Sequence, residues 1–315
     1  MEKLNFVVNR THFEWDPEQI DTNLKGSEEC VVYLATELSK YFDVSVFKTG
    51  KEKKTFRNVR YLPLQSFNQA HLKSTKTIFF KNTAFLNKIP ESNKNCYLWS
   101  SEINRTYNTK NLQKIIYLTK FHERNEPFVV RSKKIIFPHG IDIDLLDKFK
   151  SEKKDDFLLY CSCPNRGILD FLELYWEDVK KKNPSLKLKI SYSGDNNLRE
   201  YLKRFKDVEL LGELSKSEFY KILGKAKYWF HPLNNPRSEL YCLNAVKAQY
   251  MGAAPVVNKI GALKETVGKY HDAKEFLIEK KESIKKSVIN LDGNFFLTWS
   301  EVAQQFWIPL LNGSL

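Results

Sequence analysis

The chain has 315 residues, is 42% hydrophobic and 14% aromatic, and carries 51 Lys and Arg against 38 Asp and Glu, a net charge of +13. That apolar content excludes a disordered chain, and the length suits two domains of roughly 150 residues better than one core. The charge has two readings: solubility on a lysine-rich background, or attraction to an anion such as a nucleotide, a polyanionic glycan, a lipid surface or nucleic acid.

In chain order, short β-rich apolar runs alternate with amphipathic helical patterns, the signature of βαβ units and parallel sheets. Residues 4–8, 44–47, 77–80, 96–99, 115–118 and 134–137 read as strands. Residues 28–40 read as a helix with Val31, Leu34, Ala35 and Leu38 on one face, and with Glu28 and Glu29 in the first turn. The charged stretch 142–156 has no strand pattern and reads as a linker. A second series of strands follows at 157–161, 186–192, 208–211, 228–230, 254–257 and 276–278. Ile168, Leu169, Leu172, Trp176 and Val179 share one face of a helix after Arg166. Ser215 and Glu218 make a capping box. A further helix runs from Glu239 to about Met251, with Gly252 as its stop, and a last one covers 299–311. The pattern predicts an α/β protein of two tandem, doubly wound, Rossmann-like domains facing a cleft. Ligands of such sheets bind beyond the carboxyl ends of the strands.

The five cysteines include no CxxC pair and no Cys/His cluster with zinc spacing, so they read as buried free thiols of a reducing compartment. No secretory signal is visible, and no apolar run approaches the about 18 residues of a membrane span. A cytoplasmic protein is expected, with any membrane contact peripheral.

Four segments could carry chemistry. In residues 231–267, HPLNNPRSELYCLNAVKAQYMGAAPVVNKIGALKETV, Glu239 stands where a helix begins. A helix N-terminus attracts anions, and a carboxylate there can take ligand hydroxyls; equally, Ser238 and Glu239 can be an ordinary cap and first-turn acid. In residues 160–194, Asn165, Arg166 and Gly167 form a polar strand-to-helix turn. The Arg fork suits a diphosphate, or is simply solvated. Near residue 26, Lys25, Gly26 and Ser27 precede a helix, either as a ligand loop or as a plain tight turn. Asp142 and Asp144 spell D-x-D, a metal-binding pattern elsewhere, here overlapping the stretch that leads into the linker. His122, His139 and His231 are scattered and read as structural.

The run E-L-Y-C-L-N-A-V-K-A-Q-Y-M-G-A-A-P-V-V resembles the signature of retaining GT-B glycosyltransferases of family 4, and Gly261 to Val267 continues the likeness. Residues 160–194, the Gly26 segment and LWSSEINR…IIYLTKFHERN…IIFPHGID resemble further stretches of that family. The resemblance implies a retaining transferase that moves a sugar from a nucleotide-sugar donor to a hydroxyl of a glycan, glycolipid or glycoprotein. It implies Glu239 and Arg166 as catalytic residues, and Gly26, Ser27, Asn165, Gly194, Tyr241, Cys242, Leu243 and Lys247 as donor-binding. It implies no metal, no cofactor and no nucleic-acid partner, and admits a peripheral membrane contact. The domains would be 1–147 with a C-terminal crossing helix at 295–315, and 148–294; a helix capping the second domain is the alternative. The sequence departs from the family at four positions. Lys25 stands where the family has the first Gly of a Gly-Gly pair. Lys247 stands where a second Glu usually holds the ribose, and Lys cannot accept hydrogen bonds. Phe171 stands where many relatives have a Lys, and Ser101 where relatives carry a His. A GT-B nucleotide-sugar 2-epimerase and a non-catalytic basic binding protein are the competing readings.

Overall fold

The computed structural model describes all residues except 9–13, 25, 104–106, 195, 281–284 and 287–295, and describes only the backbone of 74, 238, 285 and 286. Lys25 and the side chain of Ser238, both named above, therefore lie outside the described residues. The chain divides into two compact units, Met1–Gly140 with Leu297–Leu315, and Ile141–Phe296.

The first unit holds β1 (Lys3–Val8), β2 (Asp43–Lys48), β3 (Lys54–Phe56), β4 (Val59–Pro63), β5 (Lys76–Phe80), β6 (Cys96–Trp99), β7 (Lys114–Tyr117) and β8 (Lys134–Ile136). They form one sheet in the order β3-β4-β2-β1-β5-β6-β7-β8. All pairs are parallel except β3–β4. That hairpin was not foreseen. Its two loop residues, Arg57 and Asn58, both have positive φ, as a two-residue hairpin turn requires, but Arg in the first position hides the usual Asn-Gly signal. The expected first helix runs Gly26–Leu38 and buries Val31, Leu34, Ala35 and Leu38. The C-terminal helical segment from Trp299 to Leu311 packs in this same unit. Trp299 stacks on Tyr33 with ring centroids 6.0 Å apart, and Trp307 lies edge-on to Trp99 at 5.2 Å.

The second unit holds β9 (Asp155–Tyr160), β10 (Lys187–Ser191), β11 (Val208–Gly212), β12 (Ala226–His231), β13 (Ala254–Val257), β14 (Lys269–Asp272) and β15 (Lys285–Lys286), ordered β11-β10-β9-β12-β13-β14-β15. Only β14–β15 is antiparallel. Phe157, Leu159, Trp229 and Val257 enter one core, while Leu158, Tyr160, Phe230 and Val256 enter another. Alternate residues thus feed opposite faces of a sheet buried on both sides, which is why its strands read as nearly continuous apolar runs.

Three expectations need correction. The charged stretch 142–156 is no free linker: the Asp142 carboxylate accepts from the Leu145 N–H at 3.0 Å and caps a helix, Ile143–Asp147, and Leu146 is buried in the second unit's core. Its few apolar residues outweigh its charges. The strand expected at 276–278 is a helix, Ala273–Leu277, because the Asp272 side chain accepts from the N–H groups of Lys274 and Glu275. The strand precedes it as β14. Finally, the helix expected from Glu239 begins at Leu243, since Pro236–Ser238 forms its own short turn capped by Asn235. The end of that helix, at Tyr250 before a left-handed Gly252, falls where expected.

In each sheet the first strand sits inside, with successive strands added on either side. The switch points are therefore β1/β5 and β9/β12.

One glycine fixes the packing of the second unit. Gly224 lies near the end of the helix Lys216–Lys225, and a Cβ there would come 2.0 Å from the carbonyl oxygen of Phe149. Gly→Ala inside a helix ordinarily stabilises by about 1 kcal/mol. Gly224→Ala should instead destabilise by about 2 kcal/mol through overpacking. A lowered Tm in thermal melts checks this.

Candidate functional site

The site builds from the carboxyl ends of β9 and β12, which pair in the centre of the second sheet. Gly167 lets the loops that follow these strands interlock. It has φ +105, and a Cβ on it would stand 2.0 Å from the Pro232 carbonyl oxygen. No other residue type fits that approach. Arg166, one position earlier, donates from its backbone N–H to the Cys163 carbonyl at 3.0 Å. Its guanidinium reaches the other loop, where Nη1 donates to Oε2 of Glu239 at 3.0 Å.

Glu239 is 9% exposed. Burial pushes its carboxyl above the ordinary carboxylate range, against the opposing pull of Arg166, the Cys242 thiol and the Tyr241 backbone N–H. Burial and the neighbouring Glu239 also raise the Cys242 thiol well above its usual value. Cys242 is the N-cap of the helix Leu243–Tyr250, with no side-chain cap bond. An uncapped helix end beside a guanidinium is an electrostatic seat for an anion.

Side chains with no functional role expected from the sequence, among them His231, which read as structural, complete the surroundings. His231, the last residue of β12, stacks between Tyr160 at 5.7 Å and Trp229 at 5.2 Å. Burial and Arg166 lower its imidazole to about 3, so it is neutral. Trp229 Nε1 donates to the Cys161 sulfur at 3.2 Å, and Asn244 Nδ2 to the Cys161 carbonyl at 3.1 Å, tying the helix start to β9. None of these carries a spacing signal; only the pairing of β9 with β12 brings them together.

The remaining expected residues fall as follows. Asn165 is exposed beside Arg166. Gly194 packs tightly, a Cβ there meeting Leu210 Cδ2 at 2.8 Å. Tyr241 and Leu243 flank Cys242. Lys247 is 5% exposed, and its Nζ donates to the Tyr220 hydroxyl at 3.0 Å. Phe171 is buried against Phe230, so the position where many relatives of the family it resembles have a Lys belongs to the core here.

Gly26 and Ser27 lie in the first unit, at the start of the helix Gly26–Leu38, where Gly26 has φ +69. The Ser27 hydroxyl accepts from Lys81 Nζ at 3.0 Å. Lys81 follows β5, has φ 54, and its Nζ also lies 3.9 Å from Glu102. Lys81 was missed in the sequence because nothing but its place after a strand marks it. The Ser101 hydroxyl is buried without a hydrogen-bond partner. Asp142 spends its carboxylate as a helix cap and Asp144 is exposed, so the D-x-D does not assemble. His122 is buried with Nε2 3.3 Å from the Ser100 hydroxyl and 3.2 Å from the Glu102 carbonyl, and burial lowers it to about 4.

The buried Glu239 has a measurable signature. Its folded pKa is raised above its unfolded value near 4.5. The folded state therefore holds its proton longer than the unfolded state does. Stability from this group is fully present below pH 4.5 and is lost as pH rises through the folded pKa. Glu239→Gln should match the wild type at pH 4 and become the more stable protein above pH 4.5. The gap should grow by up to about 1.4 kcal/mol per pH unit until Glu239 is ionised in both states. Urea denaturation across this range tests it.

No family model and no curated protein matches the chain. Among solved structures it is similar to AviGT4, a glycosyltransferase involved in avilamycin A biosynthesis, with 15% identity, 99% of each chain covered and a TM-score of 0.65. It is also similar to sucrose-phosphate synthase from Thermosynechococcus elongatus, with 11% identity, 100% of this chain and 97% of that one covered, and a TM-score of 0.65. Anabaena HepE, solved in complex with UDP and glucose, matches at 13% identity over 100% and 98% of the two chains, with a TM-score of 0.58. At these identities the likeness establishes the fold: two Rossmann-like domains of the GT-B type.

Proposed function

We propose that the protein is a retaining glycosyltransferase that transfers a sugar from a nucleotide-sugar donor to an acceptor hydroxyl. The observation that carries this reading is the Arg166–Glu239 pair at the β9/β12 switch point, beside the uncapped start of the helix Leu243–Tyr250. A donor diphosphate supplies the negative charge that Arg166 and the helix N–H groups favour. As the sugar bond breaks, charge grows on the leaving phosphate, and these groups stabilise it without reorganising. Glu239 holds the sugar by its hydroxyls. The leaving phosphate takes the proton of the incoming hydroxyl, so the step draws on no metal and no cofactor. The complex of HepE with UDP and glucose supports a uridine nucleotide sugar as the first donor to try.

Lys247 is directed into the core toward Tyr220, so the ribose contact falls to another group on this reading. The +13 charge supports an anionic acceptor such as a glycolipid headgroup, met at a membrane surface by peripheral contact.

A thermal-shift screen against nucleoside diphosphates and nucleotide sugars should give its largest shift with one diphosphate family. Transfer assays with the donor so found should lose at least about 100-fold in kcat for Arg166→Ala and for Glu239→Ala. Wild-type rates in either folded variant would end the site assignment, and donor turnover without any acceptor would favour an epimerase.

A further inference from the structure

The His231, Glu239 and Cys242 side chains bring a ring nitrogen, a carboxylate oxygen and a thiol sulfur within 4.8 Å of one another. Among the described residues this is the only group of three or more His, Cys, Asp or Glu whose ligating atoms converge so closely. His231 is 1% exposed, and its Nε2 has no hydrogen-bond partner. A buried polar atom left unmade costs on the order of 1–3 kcal/mol, so an unfilled imidazole nitrogen calls for an explanation. The ring is fixed by the stacks with Tyr160 and Trp229.

Nitrogen, oxygen and sulfur donors together suit a zinc-class cation, with bonds of about 2.0–2.3 Å and donors therefore spaced roughly 3.5 Å apart around a tetrahedron. The atoms lie within 4.8 Å of one another, so binding draws them together by up to about 1.3 Å.

We propose that His231, Glu239 and Cys242 form an inhibitory site for a thiophilic divalent cation of the zinc class. When the sulfur–metal bond forms, the Cys242 thiol releases its proton to solvent, and no electron is transferred. One thiolate and one carboxylate then balance the two positive charges. Arg166 loses its partner in Glu239 and turns to solvent, to which it is already one-third exposed. Three protein ligands leave a fourth position open to water. The metal takes the carboxylate from the donor sugar, so it competes with the donor instead of assisting it. Only this competition rests on the proposed function; the binding site itself does not.

The test is a cobalt(II) titration of the full chain under a phosphine reductant, with no donor present. One equivalent should produce the near-ultraviolet thiolate-to-cobalt band and the visible bands of a four-coordinate ion. Cys242→Ser should abolish the near-ultraviolet band, and His231→Phe should weaken binding at least tenfold while keeping the aromatic stack. Glu239→Gln, which removes a buried charge, serves as the second weakening variant if His231→Phe does not fold. A wild type without the band, or a Cys242→Ser variant that keeps it, overturns the site. Saturating zinc should also suppress the thermal shift of the best nucleotide sugar. A shift that survives zinc overturns the competition and leaves the transferase reading standing. Absence of any donor shift counts against that reading and leaves the cobalt result intact.

Discussion

A carboxylate can leave water only if something replaces the water. Glu239 meets that constraint only in part, through the Arg166 guanidinium, the Tyr241 N–H and the Cys242 thiol, and burial still raises its carboxyl. Everything around the site serves to deliver these groups. The parallel pairing of β9 and β12 sets two loops side by side, and Gly167 removes the side chain that would hold them apart. The short turn Pro236–Ser238 keeps Glu239 out of the helix, so that the helix starts four residues beyond it, at Leu243, without a side-chain cap.

Much of the fold was legible because its strands are buried on both faces. Runs such as Phe157–Leu158–Leu159–Tyr160 and Pro255–Val256–Val257 have no other stable use in a chain of this composition. The misses share one cause, local polar chemistry overriding the wider pattern. Asp272 converts an apolar triplet into a helix, Asp142 caps a helix in a stretch that looks like linker, and Arg57–Asn58 closes a hairpin without glycine. Each depends on which backbone N–H a single side chain happens to meet, and composition does not encode that.

The site was legible in part. Arg166 and Glu239 are 73 residues apart, yet each lies in a loop after a strand, and a resemblance to a known family linked them. His231 was not legible as part of the site. In the sequence it is a lone histidine after an apolar run. Its meaning comes from two aromatic rings and an unmet Nε2, which exist only once β9 lies against β12. Lys247 shows the reverse. The sequence raised it as a ligand contact, and the structure turns its ammonium inward to Tyr220.

The stacked His231 has a consequence for how the site meets acid. Its folded pKa, about 3, lies below its unfolded value of 6.5, so its stabilising contribution is present above pH 6.5 and drains away as pH falls. Glu239 runs the other way, with a raised folded pKa whose contribution drains as pH climbs from 4.5. Between these values the two residues change stability with pH in opposite directions. Glu239 thus works against the pH dependence that His231 alone would impose on the fold.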